Sequence, residues 1–310
     1  MTTLGNVGEL AAIKRIMRFL PTRADIVRGV GDDCAVVRPH KNSTTDWLLT
    51  SDAVVEGTHF VSGTAPELIG HKAIGRVLSD IAAMGGEPQW ALIDLVAPRK
   101  MNVVKLDGIY RGATRIARRH NLAIVGGDMA EGPVLELHAF AVGTAPKGNA
   151  VLRSGARPGD LVYVTGSLGG SRERKHLTFE PRVKEGIFLR KWATSMMDIS
   201  DGLATDLGHI AEMNDLGVRL YEELIPVSSA ARKAGGGMSA VDHALFDGED
   251  FELLFTIPVS RQKAFLRAWK SRFKLECSFF GVMTPKKGTI EFGDTKRWLT
   301  KTAFQHFAQP

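Results

Sequence analysis

The amino-acid sequence predicts an α/β (α+β) protein built as two mixed α/β domains, and three observations carry that expectation. Strand-like apolar runs alternate with helix-periodic segments along the chain. The connections between them are too irregular for a repeating Rossmann pattern. A polar stretch over residues 145–160 holds Pro146, Gly148, Gly155, Pro158 and Gly159 with little apolar periodicity, which places a domain boundary there. The expected units are residues 1–147 and 148–310. With 310 residues and 44% hydrophobic content, the chain has material for two cores.

Residues 7–20 put Leu10, Ile13, Met17 and Leu20 on one stripe and Lys14, Arg15 and Arg18 elsewhere, the pattern of an amphipathic opening helix. Strands are expected at 34–37, 47–55 and 90–96, and helices at 66–84 and 103–120; 122–125 and 134–142 resume the sheet. Beyond the break, 161–164 reads as a strand running into the glycine-rich stretch from Gly166 to Ser171. Helices follow at 181–193, after Asp201-Gly202, and at 260–273, with strands at 218–221, 251–257 and 279–283.

A net charge of +6 suits a nucleic-acid binder, a membrane-surface protein or an enzyme of anionic substrates. The excess lies in clusters such as Arg111, Arg115, Arg118 and Arg119, read as solvated helix faces. Aromatics, 7% of the chain, fall at apolar-periodic positions and not between basic residues, so nucleic acid is not expected as a partner. Cys34 and Cys277 are too few for a disulfide framework, and no uncharged apolar run of membrane-spanning length occurs. A cytoplasmic location without membrane association is expected.

Five short acidic turns mark the chain: Gly31-Asp32-Asp33, Thr50-Ser51-Asp52, Ser79-Asp80, Gly126-Gly127-Asp128 and Asp198-Ile199-Ser200-Asp201-Gly202. Nearly all sit at the end of an apolar run. Such carboxylates suit several hard divalent cations held against a polyphosphate, because Mg²⁺ takes oxygen ligands and keeps part of its water. Each turn also has a plainer reading. Gly and Asp favour turns, Gly126-Gly127-Asp128 closes a strand, and Ser200 or Asp201 serves as a helix N-cap. Asp80 inside an apolar segment either faces solvent or is balanced by a cation or donor. Yet a cap needs one oxygen where Asp198, Ser200 and Asp201 offer three, and two glycines before Asp128 let the main chain approach a phosphate. Jointly the turns point to metal-dependent phosphoryl transfer. Arg153, just past the boundary, either reaches a phosphate or is a linker charge. The Gly166 stretch resembles a phosphate loop only loosely, and neither GxxxxGK[ST] nor the kinase HRD and DFG motifs occur.

These residues in this order resemble the thiamine-monophosphate kinase family, within the superfamily of aminoimidazole ribonucleotide synthetase and selenophosphate synthetase. The matching blocks include Gly8-Glu9-Leu10, Gly57-Thr58-His59-Phe60, Arg153-Ser154-Gly155-Ala156, Pro158-Gly159-Asp160 and Gly248-Glu249-Asp250-Phe251-Glu252-Leu253, besides the acidic turns. The resemblance implies an aminoimidazole ribonucleotide synthetase-like fold whose N-terminal sheet forms the core of a homodimer. It implies direct in-line phosphorylation of thiamine phosphate by ATP. Mg²⁺ would be held by Asp33, Thr50, Ser51, Asp52, Asp80, Asp128, Asp198 and Asp201. ATP would meet Tyr110, Gly127, Arg153 and Ser200, and thiamine phosphate would meet His59, Glu249 and Phe304. Asp52 and Asp128 are expected to hold the ion that couples donor and acceptor. Without the resemblance, His59 reads as a packed or turn histidine, Glu249 as a hairpin tip and Phe304 as tail packing. Two departures stand out: Asp247 replaces a glycine usual in the family, and the segment between Gly166 and Pro181 is short, with an unusually charged stretch over residues 171–176. The rival expectations are another ATP-using member of the superfamily and a basic nucleic-acid binder using the face from Arg111 to Arg119.

Overall fold

Two seven-stranded sheets organise the protein in a computed structural model that describes residues 2–293 and 297–298. The opening helix is divided into α1 (Leu4–Val7) and α2 (Glu9–Met17), because Gly8 between them takes a left-handed φ of 73°. The expected stripe therefore stops short of Leu20.

The first sheet contains β1 (Ile26–Arg28), β2 (Ala35–Val37) and β3 (Thr45–Val55), followed by helix α3 (Pro66–Ala83), β4 (Glu87–Ala97), helix α4 (Val103–Arg119), β5 (Ala123–Gly126), β6 (Met129–Glu131) and β7 (Glu136–Pro146). Its order is β1-β2-β3-β7-β4-β5, with β6 also paired to β4. Period-two alternation sets the faces. In β3, Asp46, Leu48, Thr50 and Val54 are buried, whereas Trp47 and Ser51 are exposed on the opposite face. α3 covers the inner face, and Ile69, Ile74, Val77, Leu78 and Ile81 are fully buried. The outer face keeps Trp47, Trp90, Leu92 and Phe140 exposed.

The second half contains β8 (Leu161–Thr165), α5 (Lys175–Thr178), α6 (Val183–Leu189), β9 (Ser195–Asp198), α7 (Leu203–Met213), β10 (Gly217–Leu220), α8 (Ser229–Lys233), α9 (Ala240–Phe246), β11 (Leu253–Ile257), α10 (Gln262–Arg272), β12 (Cys277–Thr284), β13 (Ile290–Phe292) and β14 (Arg297–Trp298). The order is β14-β13-β10-β12-β8-β11-β9. All five residues of β8 and of β11 are buried, so this sheet is covered on both faces. Leu161 and Tyr163 join a core shared with α3 and the first sheet, while Val162 and Val164 pack with Leu203, Leu207 and Phe280 on the other side. The helix expected over 181–193 is shorter, and the strand expected from 251 begins at Leu253, since Phe251 takes a left-handed φ of 50°. β9 hydrogen-bonds along β11 and ends at Asp198, a placement with no expectation in the sequence.

Candidate active site

β3 delivers Thr50 and Asp52 two residues apart toward α3, and Asp80 on α3 accepts a hydrogen bond from the Thr50 hydroxyl. Asp33 comes from the loop before β2 and Asp198 from the end of β9. One ligating oxygen from each of Asp33, Asp80 and Asp198 lies within 4.8 Å of the others. Ser79, beside Asp80, donates to Asp198. Four segments far apart in sequence thus meet at one point.

Burial and crowding govern the chemistry there. Burial, and then the charges of Asp52, Asp198 and Asp33, push the Asp80 carboxyl well above its ordinary range. Burial followed by the Asp33 charge raises Asp198 to about 7, against the opposing Ser79 hydrogen bond. Carboxylates this close do not all ionise unless positive charge joins them. Arg153 supplies part of it, with its guanidinium 2.6 Å from Asp33 and its amide N–H donating to Asp32 at 2.7 Å. The second oxygen of Asp33 is buried without a partner among the described residues. An all-oxygen set with a spare buried lone pair fits a hard divalent cation. Asp32 is already engaged by Arg28 at 2.9 Å and by the Arg153 amide, so the two neighbouring aspartates have different tasks.

Beside this cluster opens a cavity of about 370 Å³ lined by His59, Arg76, His176, Ser200, Asp201 and Glu249, among others. His59 Nδ1 accepts from the Val55 amide at 3.1 Å, which places the ring proton on Nε2. Glu249 sits on a turn pressed against the Asp198 segment: its amide donates to Ser200 O at 2.7 Å, and the Phe251 amide donates to Ile199 O at 2.8 Å. Glu249 itself has a left-handed φ of 53°, a strained conformation that the two contacts hold. Burial would raise its pKa, but His176, Lys72 and Arg76 outweigh burial and hold it at about 2.

Lys72 and Arg76 escaped the sequence reading. Lys72 is fully buried; its Nζ donates to His59 O at 2.6 Å and pairs with Glu249 at 2.7 Å. Arg76 joins Asp52 at 2.6 Å to Glu249 at 3.5 Å. The available signal was spacing: Lys72, Arg76 and Asp80 recur every four residues on one face of an otherwise apolar helix, where charges seldom lie without partners. The glycine-rich stretch from Gly166 is structural. Its Gly169 amide donates to Asp250 at 2.9 Å and its Gly170 amide to Asp247 at 2.7 Å, so these N–H groups are taken.

Tyr110, Gly127 and Asp128 line a second cavity of about 720 Å³ across the first sheet. A side chain at Gly127 would collide with the Ile93 carbonyl. The structure therefore gathers Asp33, Thr50, Asp80 and Asp198 with Arg153. It sets His59, Ser200, Asp201 and Glu249 around the adjoining cavity, with Asp52 paired to the cavity-lining Arg76, and it holds Tyr110, Gly127 and Asp128 apart. The Ser51 side chain turns to the outer face, and Phe304 lies outside the described residues. Of the basic face on α4, Arg111 pairs with Glu67 and Arg119 with Glu180.

Residues 31–145 match the family model described as AIR synthase related protein, N-terminal domain. Thiamine-monophosphate kinase of Buchnera aphidicola (subsp. Acyrthosiphon pisum, strain APS) is 34% identical over 91% of this chain and 93% of its own length. That of Escherichia coli (strain K12) is 35% identical over 81% of this chain and 83% of its own. A solved structure of AaThiL complexed with AMPPCP and TMP aligns with a TM-score of 0.86 at 30% identity, covering 99% of both chains.

Proposed function

The chain belongs to the thiamine-monophosphate kinase family, and from that premise we propose that it phosphorylates thiamine phosphate to thiamine diphosphate at the expense of ATP, by direct in-line transfer. The observation that carries this reading is the convergence of Asp33, Asp80 and Asp198 beside a cavity large enough for a small phosphorylated substrate. A relative of the same fold complexed with AMPPCP and TMP supports it.

The residues fit magnesium: Asp33, Thr50, Asp80 and Asp198 would hold it at the cluster, with Asp201 on the cavity wall, Asp52 beside Arg76, and Ser51 contributing only through its main chain. Bound there, Mg²⁺ would neutralise the charge spread over the transferred phosphoryl group. The chain's own task is alignment. Arg153 is placed to meet a polyphosphate, and the Ser200–Asp201 turn that precedes helix α7 forms part of the cavity wall. His59 and Glu249, both on the cavity wall, are the proposed contacts to the organic substrate. The phosphate of thiamine phosphate is an anionic nucleophile at neutral pH, so no strong base is required.

Asp52 and Asp128 stay the proposed catalytic pair, with Tyr110 and Gly127 on the nucleotide. Asp52 pairs with Ala139 and Ala139 with Ile93, beside which Gly127 lies, so the main chains at the two residues are three strand spacings apart, on the order of 14 Å, and within one chain they do not share the single ion that the sequence led us to expect. A homodimer through the outer face of the first sheet, the face that carries Ser51, remains the proposed assembly. The exposed Trp47, Trp90, Leu92 and Phe140 on that face support the assembly. Units of residues 1–147 and 148–310 remain the proposed division, with α3 at their junction. Among the described residues no helix is long and apolar enough to cross a membrane; together with two unpaired thiols this supports a cytoplasmic location.

Incubation of the purified protein with ATP, Mg²⁺ and thiamine phosphate, followed by product analysis, tests the reading. Thiamine diphosphate should form, and free thiamine and aminoimidazole precursors should remain unchanged. Turnover of a precursor without thiamine diphosphate would overturn it.

A further inference from the structure

The start of α7 carries a second group of ligating side chains outside the Asp80 cluster. We infer that Asp201, Asp206 and His209 form a site for a divalent transition-metal ion of the Mn²⁺ or Zn²⁺ kind. Asp206 and His209 are three residues apart and share one helix face, with Asp201 in the turn before it. One ligating atom from each lies within 4.8 Å of the others. Ligands about 2.1 Å from a common ion stand at most about 4.2 Å apart, so a small side-chain rotation completes the set.

A second observation is independent of this spacing. Asp206 is 1% exposed, and its Oδ2 accepts from the amides of Asp201 at 3.2 Å and Gly202 at 3.1 Å. Those bonds account for one oxygen as a helix cap. Its Oδ1 is buried and has no partner among the described residues. Leaving such an oxygen bare costs about 1–3 kcal/mol. Arg153 acts on Asp206 through its charge, but its guanidinium hydrogen-bonds Asp33 instead. An ion between Asp206 and His209 satisfies the bare oxygen.

The donor set selects the metal. Two carboxylates with an imidazole nitrogen favour borderline ions over Mg²⁺, in contrast to the all-oxygen cluster around Asp80. His209 is partly exposed, which leaves a route for entry. Asp201 also lines the cavity with Ser200, so an ion here ties down the turn that forms one cavity wall. The site stands on these residues and does not require the kinase reading.

The test is Mn²⁺ retention by the full-length protein in a large excess of Mg²⁺, with free Mn²⁺ followed by its electron paramagnetic resonance signal. The wild-type chain should retain one Mn²⁺ and show nitrogen coupling to the bound ion. Asp206→Asn and His209→Ala should each weaken retention by at least the ~10-fold that loss of even an outer-shell partner causes. Asp80→Asn should leave it unchanged. Complete displacement by Mg²⁺, retention without nitrogen coupling, or equal retention in both variants would overturn the proposal. Should Asp206→Asn fail to fold, His209→Ala decides alone, since among the described residues no hydrogen bond to His209 is lost.

Discussion

Replacing Lys72 with Met removes a fully buried cation that ties Glu249 to the loop carrying His59. Glu249 is held at about 2 against an ordinary value of 4.5. That depression corresponds to about 3 kcal/mol of native-state stabilisation at neutral pH. The sign follows from linkage: a depressed carboxyl contributes fully above pH 4.5 and loses the contribution as pH falls through 2. At pH 3 only about 1 kcal/mol of it remains. Lys72 responds in the opposite sense, because burial lowers its pKa more than Glu249 restores it. Part of the gain at Glu249 is therefore spent keeping the ammonium out of water, and His176 and Arg76 stay in place in the variant. We expect Lys72→Met to cost about 2–3 kcal/mol at pH 7 and about 1 kcal/mol at pH 3. Urea unfolding at both pH values reads this, and KM for thiamine phosphate should rise with it. Adding Glu249→Gln should recover much of the stability without recovering KM, because the uncompensated carboxylate is gone. A variant as stable as wild type at pH 7, or a penalty that grows on acidification, would refute the reasoning.

Asp80→Asn should abolish product formation yet raise the melting temperature in a chelator by the equivalent of about 1–2 kcal/mol, since it removes repulsion among buried carboxylates; calorimetry without metal checks both halves. Asp198, raised to about 7 in the folded chain, should make the metal-free protein lose stability as pH rises through 7, while its contribution is complete below 3.8. Accordingly, Mg²⁺ binding should release more protons at pH 6 than at pH 9, measurable by titration calorimetry in buffers of different ionisation enthalpy. Gly127→Ala drives a methyl group into the Ile93 carbonyl and should raise KM for ATP at least ~10-fold while KM for thiamine phosphate changes little.

Much of the candidate site was legible before folding. Asp33, Asp80, Asp128 and Asp198 announce themselves because an ionised side chain next to apolar residues, or after paired glycines, needs a reason to be there. The alternation in β3 could likewise have separated Thr50 and Asp52 from Ser51, since side chains switch faces at every residue. Lys72 and Arg76 were harder to see. Their four-residue spacing marks one helix face but not what that face meets, and their partners Glu249 and His176 lie more than a hundred residues downstream. The Gly166 stretch misleads for the converse reason, because glycine amides free in sequence are occupied in space by Asp247 and Asp250.

Local chemistry in the sequence determined which residue types were present, their faces on strand and helix, and the family to which their order belongs. It could not determine which carboxylates share one point, because that depends on contacts between segments with no local preference for each other. Packing of β9 along β11 sets Asp198 against Ser79, and the shared core beneath α3 brings Asp33 and Asp80 to the same place. Proximity of like charges is paid for by burial elsewhere, so only the assembled tertiary structure could decide it.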